Sequence, residues 1–350
     1  MPSKQLEYAG RERRGYVTLV RCRVFVSCCL TAVVALAVLV SSGVAWAENS
    51  NRYHLPDSRY VLSPSLRSPF LFLQDGALPY DGMRLDLSLG IAYRKAPWRL
   101  FLEPNEDFRQ TPVTHRIQMR PAAAFSYRAW FELALVLPFA IQDGHGGDPI
   151  VETADPAGVD MMDIELSLRM PILHERWRGL GLAGWVTGFL PTETGGRFGA
   201  SPDQATLGIT LDWLRNGVAF ALATGWTFRE RIHTLDTTID DEWFIRPGIS
   251  YRFDVGRIRL GFALEGHFGT GTGSFFGDEN DAARSLLLSV HLAPLAEGEG
   301  VYAAAGGGTG LLGDDGGYGV PDSHLEGRVG YSLEWDHQKK SHAQGAEVMR

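Results

Sequence analysis

Between Met83 and Trp335 apolar and polar residues alternate, run after run, with the period of two that marks a β-strand whose faces meet different surroundings. The clearest pair spans Thr206 to Phe228. Leu207, Ile209, Leu211 and Trp213 alternate with Thr206, Gly208, Thr210 and Asp212. Asn216-Gly217 then supplies two residues that tolerate positive φ, as a type I′ turn requires. The return run sets Val218, Phe220, Leu222, Trp226 and Phe228 against Ala219, Ala221, Ala223, Gly225 and Thr227. That turn predicts Arg215 opposite Val218 and Trp213 opposite Phe220, with both apolar rows on one face.

The same pattern predicts ten more segments, giving twelve strands in all. They are Met83–Tyr93, Val113–Phe125, Phe131–Ile141, Ile164–Met170, Leu180–Leu190, the two strands of the hairpin, Trp243–Phe253, Ile258–Phe268, Leu286–Leu292, Val301–Gly308 and Leu325–Trp335. Pro138 removes one ladder donor and predicts a bulge or strand end. Leu180–Leu190 is the least regular run, with Trp185 and Phe189 out of phase, and Leu287 interrupts another. Short links are expected at 126–129, 175–178, 216–217, 255–256 and 293–300, and long polar, Gly-rich gaps between them. Strict alternation of long and short links predicts an all-β, closed, up-and-down antiparallel transmembrane barrel of about twelve strands. Runs near ten residues suit a tilted crossing of the hydrocarbon layer, and closure is required because lipid cannot satisfy an open edge. Aromatics at strand ends (Tyr93, Trp213, Phe228, Trp243, Phe253, Phe268, Trp335) suit two interfacial girdles. A soluble β-sandwich shows the same alternation but gives its loops no reason to alternate in length.

Composition leaves that picture intact. A hydrophobic share of 45% and a mean hydropathy of -0.09 fit a globular protein, and equally a barrel whose lumen face is polar. The net charge of -8 argues against a general nucleic-acid binder. Residues 1–47 read as a signal peptide: arginines at 11, 13, 14, 21 and 23, an apolar run from Val24 to Val40, and the small-x-small site Ala45-Trp46-Ala47 before Glu48. An uncleaved anchor is the alternative, since a run of that length is at the short edge of what spans a bilayer. Cys22, Cys28 and Cys29, all three cysteines, lie inside this segment. The chain from Glu48 therefore has no disulfide scaffold, thiol nucleophile or cysteine metal site. Residues 48–82, with prolines at 56, 64, 69 and 79, are expected to be irregular, either a lumen plug or a periplasmic lead-in; residues 336–350 form a polar periplasmic tail.

The candidate chemistry lies on the polar face of the alternation. Arg84, Asp86, Arg116, Arg120, Glu132, Asp163, Glu165, Arg169, Arg246, Arg252, Arg259, Glu265, His267, Glu326, Arg328 and Glu334 are expected to line the lumen. They suit a charged channel lining, or a salt-bridged network filling a closed interior. Mixed signs give no strong ion preference, and twelve strands lie between filled barrels and open porins. His267 and Ser289 are placed to face each other across neighbouring strands, which is the only outline of a hydrolase; no orienting third group accompanies them, so no catalytic residue is assigned. Asp148, Asp155, Asp160 and Asp314-Asp315 lack EF-hand spacing and read as solvated loops. No phosphate loop, dinucleotide fingerprint or HExxH is present, and no metal or cofactor is expected.

From about Asp81 to Trp335 the chain resembles the N-terminal β-barrel region of large OmpA-family outer-membrane proteins. The residues that carry this are Leu135-Val136-Leu137-Pro138, Asp163-Ile164-Glu165-Leu166-Ser167 and Leu190-Pro191-Thr192-Glu193-Thr194-Gly195, with an aromatic-ended last strand. The patterns are loose and shared with other barrels, including substrate-specific transporters. The resemblance implies outer-membrane localisation, contact with lipid and lipopolysaccharide, and recognition of the strand ending at Trp335 by the barrel assembly machinery. The C-terminal peptidoglycan-binding domain usual in that family has no counterpart after Trp335, so cell-wall anchoring is not implied. A structural role or a narrow passive channel for small solutes follows, with a transporter of hydrophobic compounds as the rival and a barrel hydrolase behind both.

Overall fold

The alternating runs become strands because each can send its apolar row outward and its polar row inward without bending. In the computed structural model they form one closed, antiparallel wall. The structure describes residues 82–95, 100–101, 109–110, 113–127, 130–144, 158–173, 179–190, 192, 204–229, 232–234, 237–239, 241–269, 284–294, 300–310 and 323–335. Segments 1–81 and 336–350, read as signal peptide, irregular lead and tail, lie outside the described residues, as do Asp148, Asp155 and Asp314-Asp315.

The strands are β1 (Met83–Lys95), β2 (Val113–Tyr127), β3 (Phe131–Val136 with Phe139–Gly144), β4 (Gly158–Met161 with Ile164–Leu173), β5 (Leu180–Leu190), β6 (Gln204–Arg215), β7 (Val218–Arg229), β8 (Glu242–Val255), β9 (Ile258–Gly269), β10 (Arg284–Pro294), β11 (Gly300–Gly310) and β12 (Ser323–Trp335). Each pairs with its neighbours in sequence, and β1 pairs with both β2 and β12, from Met83↔Trp335 to Lys95↔Ser323, so no edge is left open. Short links (128–130, 174–179, 216–217, 256–257, 295–299) lie at one end and long ones at the other. Two small ribbons, Leu100–Phe101 with Arg109–Gln110 and Ile232–Thr234 with Thr237–Ile239, fall inside expected gaps.

Followed from partner to partner once round the wall, the ladders return to their starting strand displaced by about 14 residues. With a rise of about 3.3 Å and a spacing of about 4.8 Å, that stagger gives a tilt of roughly 40° and a backbone radius of roughly 11–12 Å. Inward side chains occupy much of such a bore.

The opening hairpin has the expected register: Arg215↔Val218 and Trp213↔Phe220, with φ of 51° at Asn216 and 82° at Gly217. Strands run longer than the alternation alone marks, and the second tight turn is Gly256-Arg257, one residue beyond the expected Val255-Gly256. Pro138 does end a segment of β3. A second break, at Met162-Asp163 in β4, carries no proline or glycine and gave no signal.

The two faces differ as lipid and lumen should. Outward residues such as Leu87, Ile91, Ile209, Phe220 and Leu264 are 45–50% exposed. Their inward neighbours Asp86, Ala92, Thr210, Ala219 and Glu265 are 0–3% exposed. Outward aromatics gather at both ends, Trp213 against Phe220 and Tyr251 against Phe253 at the short-link end, Trp226 against Phe228 at the other. Among the described residues no helix is long and apolar enough to cross a membrane.

Candidate functional site: the charged lumen

The polar row of every strand points inward, so positions far apart in sequence share one interior. Of the expected lining, Arg84, Asp86, Arg116, Arg120, Asp163, Glu165, Arg169, Glu265, His267, Glu326 and Arg328 are buried. Glu132, Arg246, Arg252, Arg259 and Glu334 are half-buried, and Arg252, Arg259 and Glu334 lie toward the short-link mouth. There Arg259 Nε donates to Asp254 Oδ1 at 2.8 Å.

Most inward charges are joined across strands. Arg120 Nη2 of β2 reaches past β3 to Glu165 Oε2 of β4 at 2.6 Å. Glu132 lies between Ser126, whose Oγ donates to it at 2.8 Å, and Arg169, 3.6 Å away. Arg84 pairs with Asp86 on its own strand and lies over the Tyr302 ring. Arg229 Nη2 donates to Glu242 Oε2 at 2.9 Å. Glu242 Oε1 is 3.7 Å from His267 Nε2, and Arg246 Nε donates to His267 Nδ1 at 3.0 Å. An imidazole accepting at Nδ1 carries its proton on Nε2, toward Glu242. These contacts run at several levels of the lumen, so one broken pair leaves its neighbours in place.

One wall is aromatic. Trp185 of β5 and Phe244 of β8, whose rings are 6.1 Å apart, lean from either side over the paired glycines Gly208 and Gly225. A Cβ on Gly208 would meet the Trp185 ring, and one on Gly225 would stand 2.8 Å from Phe244 Cζ. Trp185 Nε1 donates to Thr210 Oγ1 at 3.2 Å, and Arg246 covers the Phe244 ring at 4.3 Å. The out-of-phase Trp185 and Phe189 of the sequence are thus inward residues.

A second feature gathers the three motifs behind the family resemblance. Leu137 N donates to Pro121 O and Met162 N to Pro138 O, both at 2.9 Å. Thr192 N donates to Asp163 Oδ1 at 3.1 Å, and Ile164 N to Thr192 Oγ1 at 3.0 Å. The breaks in β3 and β4 and the end of β5 therefore form one hydrogen-bonded seam.

The expected facing of His267 and Ser289 is corrected. The β9–β10 register sets His267 opposite Ser285 and Ser289 opposite Ala263. Ser289 Oγ instead bonds His291 Nε2 of its own strand at 2.8 Å. The β9–β10 link, 270–283, is too long to fix a register, and the alternation alone leaves the pairing four residues off. Inward residues left off the expected lining are Arg94, Asp212, Arg229, Glu242, His291 and His324, all buried. Most lie one step past an apolar run yet in phase with it, and that phase was the available signal. Among the described residues no cluster of three or more His, Asp or Glu is placed to hold a metal.

No protein-family model matches the chain. No curated protein sequence matches it either. Similar solved structures include an outer membrane channel from Pseudomonas putida F1, with 12% identity, 73% of this chain and 96% of that one covered, and a TM-score of 0.48. The NanC porin has 9% identity, 72% and 100% coverage and a TM-score of 0.41. The CymD monoaromatic hydrocarbon channel has 10% identity, 73% and 89% coverage and a TM-score of 0.33. Likeness of this order settles no activity and no OmpA-family membership; the closed twelve-stranded β-barrel rests on the chain's own ladders.

Proposed function

We propose that this chain is an outer-membrane channel with a narrow, charge-lined passage for small polar solutes. The observation that carries the reading is the inward charge. Burying an ion costs several kcal/mol even when it is paired, and apolar side chains fill a purely structural interior without that cost. Arg120–Glu165, Arg169–Glu132 and Arg229–Glu242 line a lumen whose outer wall is apolar. Their retention is accounted for by water and solute passing between them.

In this reading the long links face the exterior, the short links and the Met83 and Trp335 ends of the wall face the periplasm, and lipid and lipopolysaccharide surround the apolar rows. The assembly machinery reads β12, which ends at Trp335. A place among OmpA-family barrel regions is a finer proposal, supported by the motifs gathered in the Pro138–Asp163–Thr192 seam. The reading is not enzymatic: Ser289 and His291 are 1% and 4% exposed and meet inside the wall. A second reading, a carrier of hydrophobic compounds, draws on the Trp185–Phe244 patch. Purified protein in planar bilayers separates them: small, ohmic unitary steps are expected, and a silent bilayer at all voltages tolerated by the membrane contradicts the channel.

A further inference from the structure

Near the short-link end, three strands bring together two polar groups that the ion pairs of the lumen leave unused. Arg84 of β1 pairs with Asp86 through Nε, and its Cζ lies 5.6 Å from the centre of the Tyr302 ring of β11. Its Nη2 is buried and has no hydrogen-bond partner among the described residues. Ser332 of β12 stands directly opposite Asp86 and, on its other side, Gly300 of β11; its Oγ is likewise buried and without a partner. The two residues are 2% and 0% exposed. A buried donor left unmade costs its desolvation, so each such group calls for a water, an ion or a ligand.

The ladders set how these groups lie. Opposed side chains have Cβ atoms about 5 Å apart and diagonal ones about 7–8 Å. Arg84 is opposite Glu334 and so diagonal to Ser332, while Tyr302 is opposite Gly330. Arginine and ring therefore meet over the inner face of β12, at Ser332 and at Gly330, which bears no side chain. The adjoining row Ser88–Gly330–Tyr302 is half-buried, so this spot opens toward the passage on that side. Asp86 and Glu334 put two carboxylates around one guanidinium, and on the β2 side Arg84 faces Ser126, which donates to Glu132. The next inward cation on β12, Arg328, is two rows on and one row from Glu326. An anion is repelled here. A hydroxyl accepts from Arg84 Nη2 or Ser332 Oγ and donates its own proton to a carboxylate, which accepts at about four sites.

We propose that Arg84, Asp86, Ser332 and Tyr302 form a subsite for the hydroxyl groups of an uncharged solute, a sugar or polyol. Arg84 Nη2 and Ser332 Oγ donate to solute oxygens, and Asp86 accepts from a solute hydroxyl. The Tyr302 ring gives apolar surface to the carbon skeleton. The proposal rests on the channel reading and names its substrate class.

The test uses the full-length protein, with glucose and glycerol as uncharged probes and acetate as the charged one. Glucose or glycerol is expected to raise the thermal unfolding temperature saturably, above the linear rise that any excluded osmolyte gives, and to reduce bilayer current over the same concentrations. Ser332→Ala removes a buried hydroxyl and adds no volume. It should melt no lower than wild type in buffer, yet bind about fivefold more weakly. Arg84→Lys keeps the charge beside Asp86 and lacks Nη2, so affinity should fall at least about tenfold. Equal binding in wild type and both variants, or acetate binding more tightly than glucose, overturns the subsite. So does a Ser332→Ala barrel that melts lower in buffer while no solute shifts wild type, since a structural water then fills the position. Saturable, Ser332-dependent stabilisation of a barrel that never conducts upholds the subsite and removes the channel; conduction untouched by either solute, with melting untouched too, keeps the channel and removes the subsite. Glucose stabilising and glycerol not would assign the site to sugar rings, and the reverse to short polyols.

Discussion

At the scale of single residues the lumen is governed by buried ion pairs. Arg120 and Glu165 are 4% and 5% exposed. Glu165→Gln leaves the guanidinium without its counter-charge and should cost about 3–5 kcal/mol in urea unfolding from lipid vesicles. The double variant Arg120→Met/Glu165→Leu should recover most of that loss, because an apolar pair of similar volume needs no compensation. Equal loss in both variants would mean that packing, and not charge, holds this spot. Gly208 gives a steric counterpart: Gly208→Ala meets the Trp185 ring and the Thr224 carbonyl oxygen, 2.8 Å from the new Cβ. It should destabilise by about 1–3 kcal/mol by the same assay. Which residues point inward was largely legible from the phase of each run, Arg84 and Glu265 included, although Trp185 and Phe189 broke it. Which inward residues meet was not, since Arg120 bridges two strands and His267 pairs with Ser285 through a register that alternation does not fix.

At the scale of elements, turn chemistry fixed some features and left others blank. Asn216-Gly217 gave the β6–β7 register in full, because only one turn type suits two left-handed residues between right-twisted strands. Gly217→Val should therefore slow refolding into detergent and lower stability by about 1–3 kcal/mol, while Asn216→Gly should be tolerated. A Gly217→Val barrel that refolds at the wild-type rate would show that the register is set elsewhere. Pro138 announced the break in β3. The matching break at Met162-Asp163 is imposed from outside the strand, by Thr192 Oγ1 and Pro138 O accepting from the Ile164 and Met162 amides, so nothing local to β4 marked it.

At the scale of the whole molecule, closure follows from the β1–β12 ladder, and the loop alternation that predicted it is a consequence of every strand crossing the same layer. Strand number was legible; the stagger of about 14 residues was not, because it sums registers that depend on each turn. The lipid-facing belt should show a depth dependence. Ile209→Arg, near the middle of the wall and 50% exposed outward, is expected to cost about 2–4 kcal/mol, against about 0–1 kcal/mol for Phe228→Arg at the girdle. Equal costs at the two depths would argue against a hydrocarbon environment.

The most direct test of the lipid-and-lumen division is a quenching scan along β6. With cysteines at 22, 28 and 29 replaced, single cysteines at 206, 207, 209, 210, 211 and 212 are labelled with a small fluorophore in vesicles of lipids brominated along their tails. Labels at Leu207, Ile209 and Leu211 should be strongly quenched and those at Thr206, Thr210 and Asp212 spared. Quenching without that period of two, or strongest at the even positions, would contradict a barrel that turns its apolar rows to lipid.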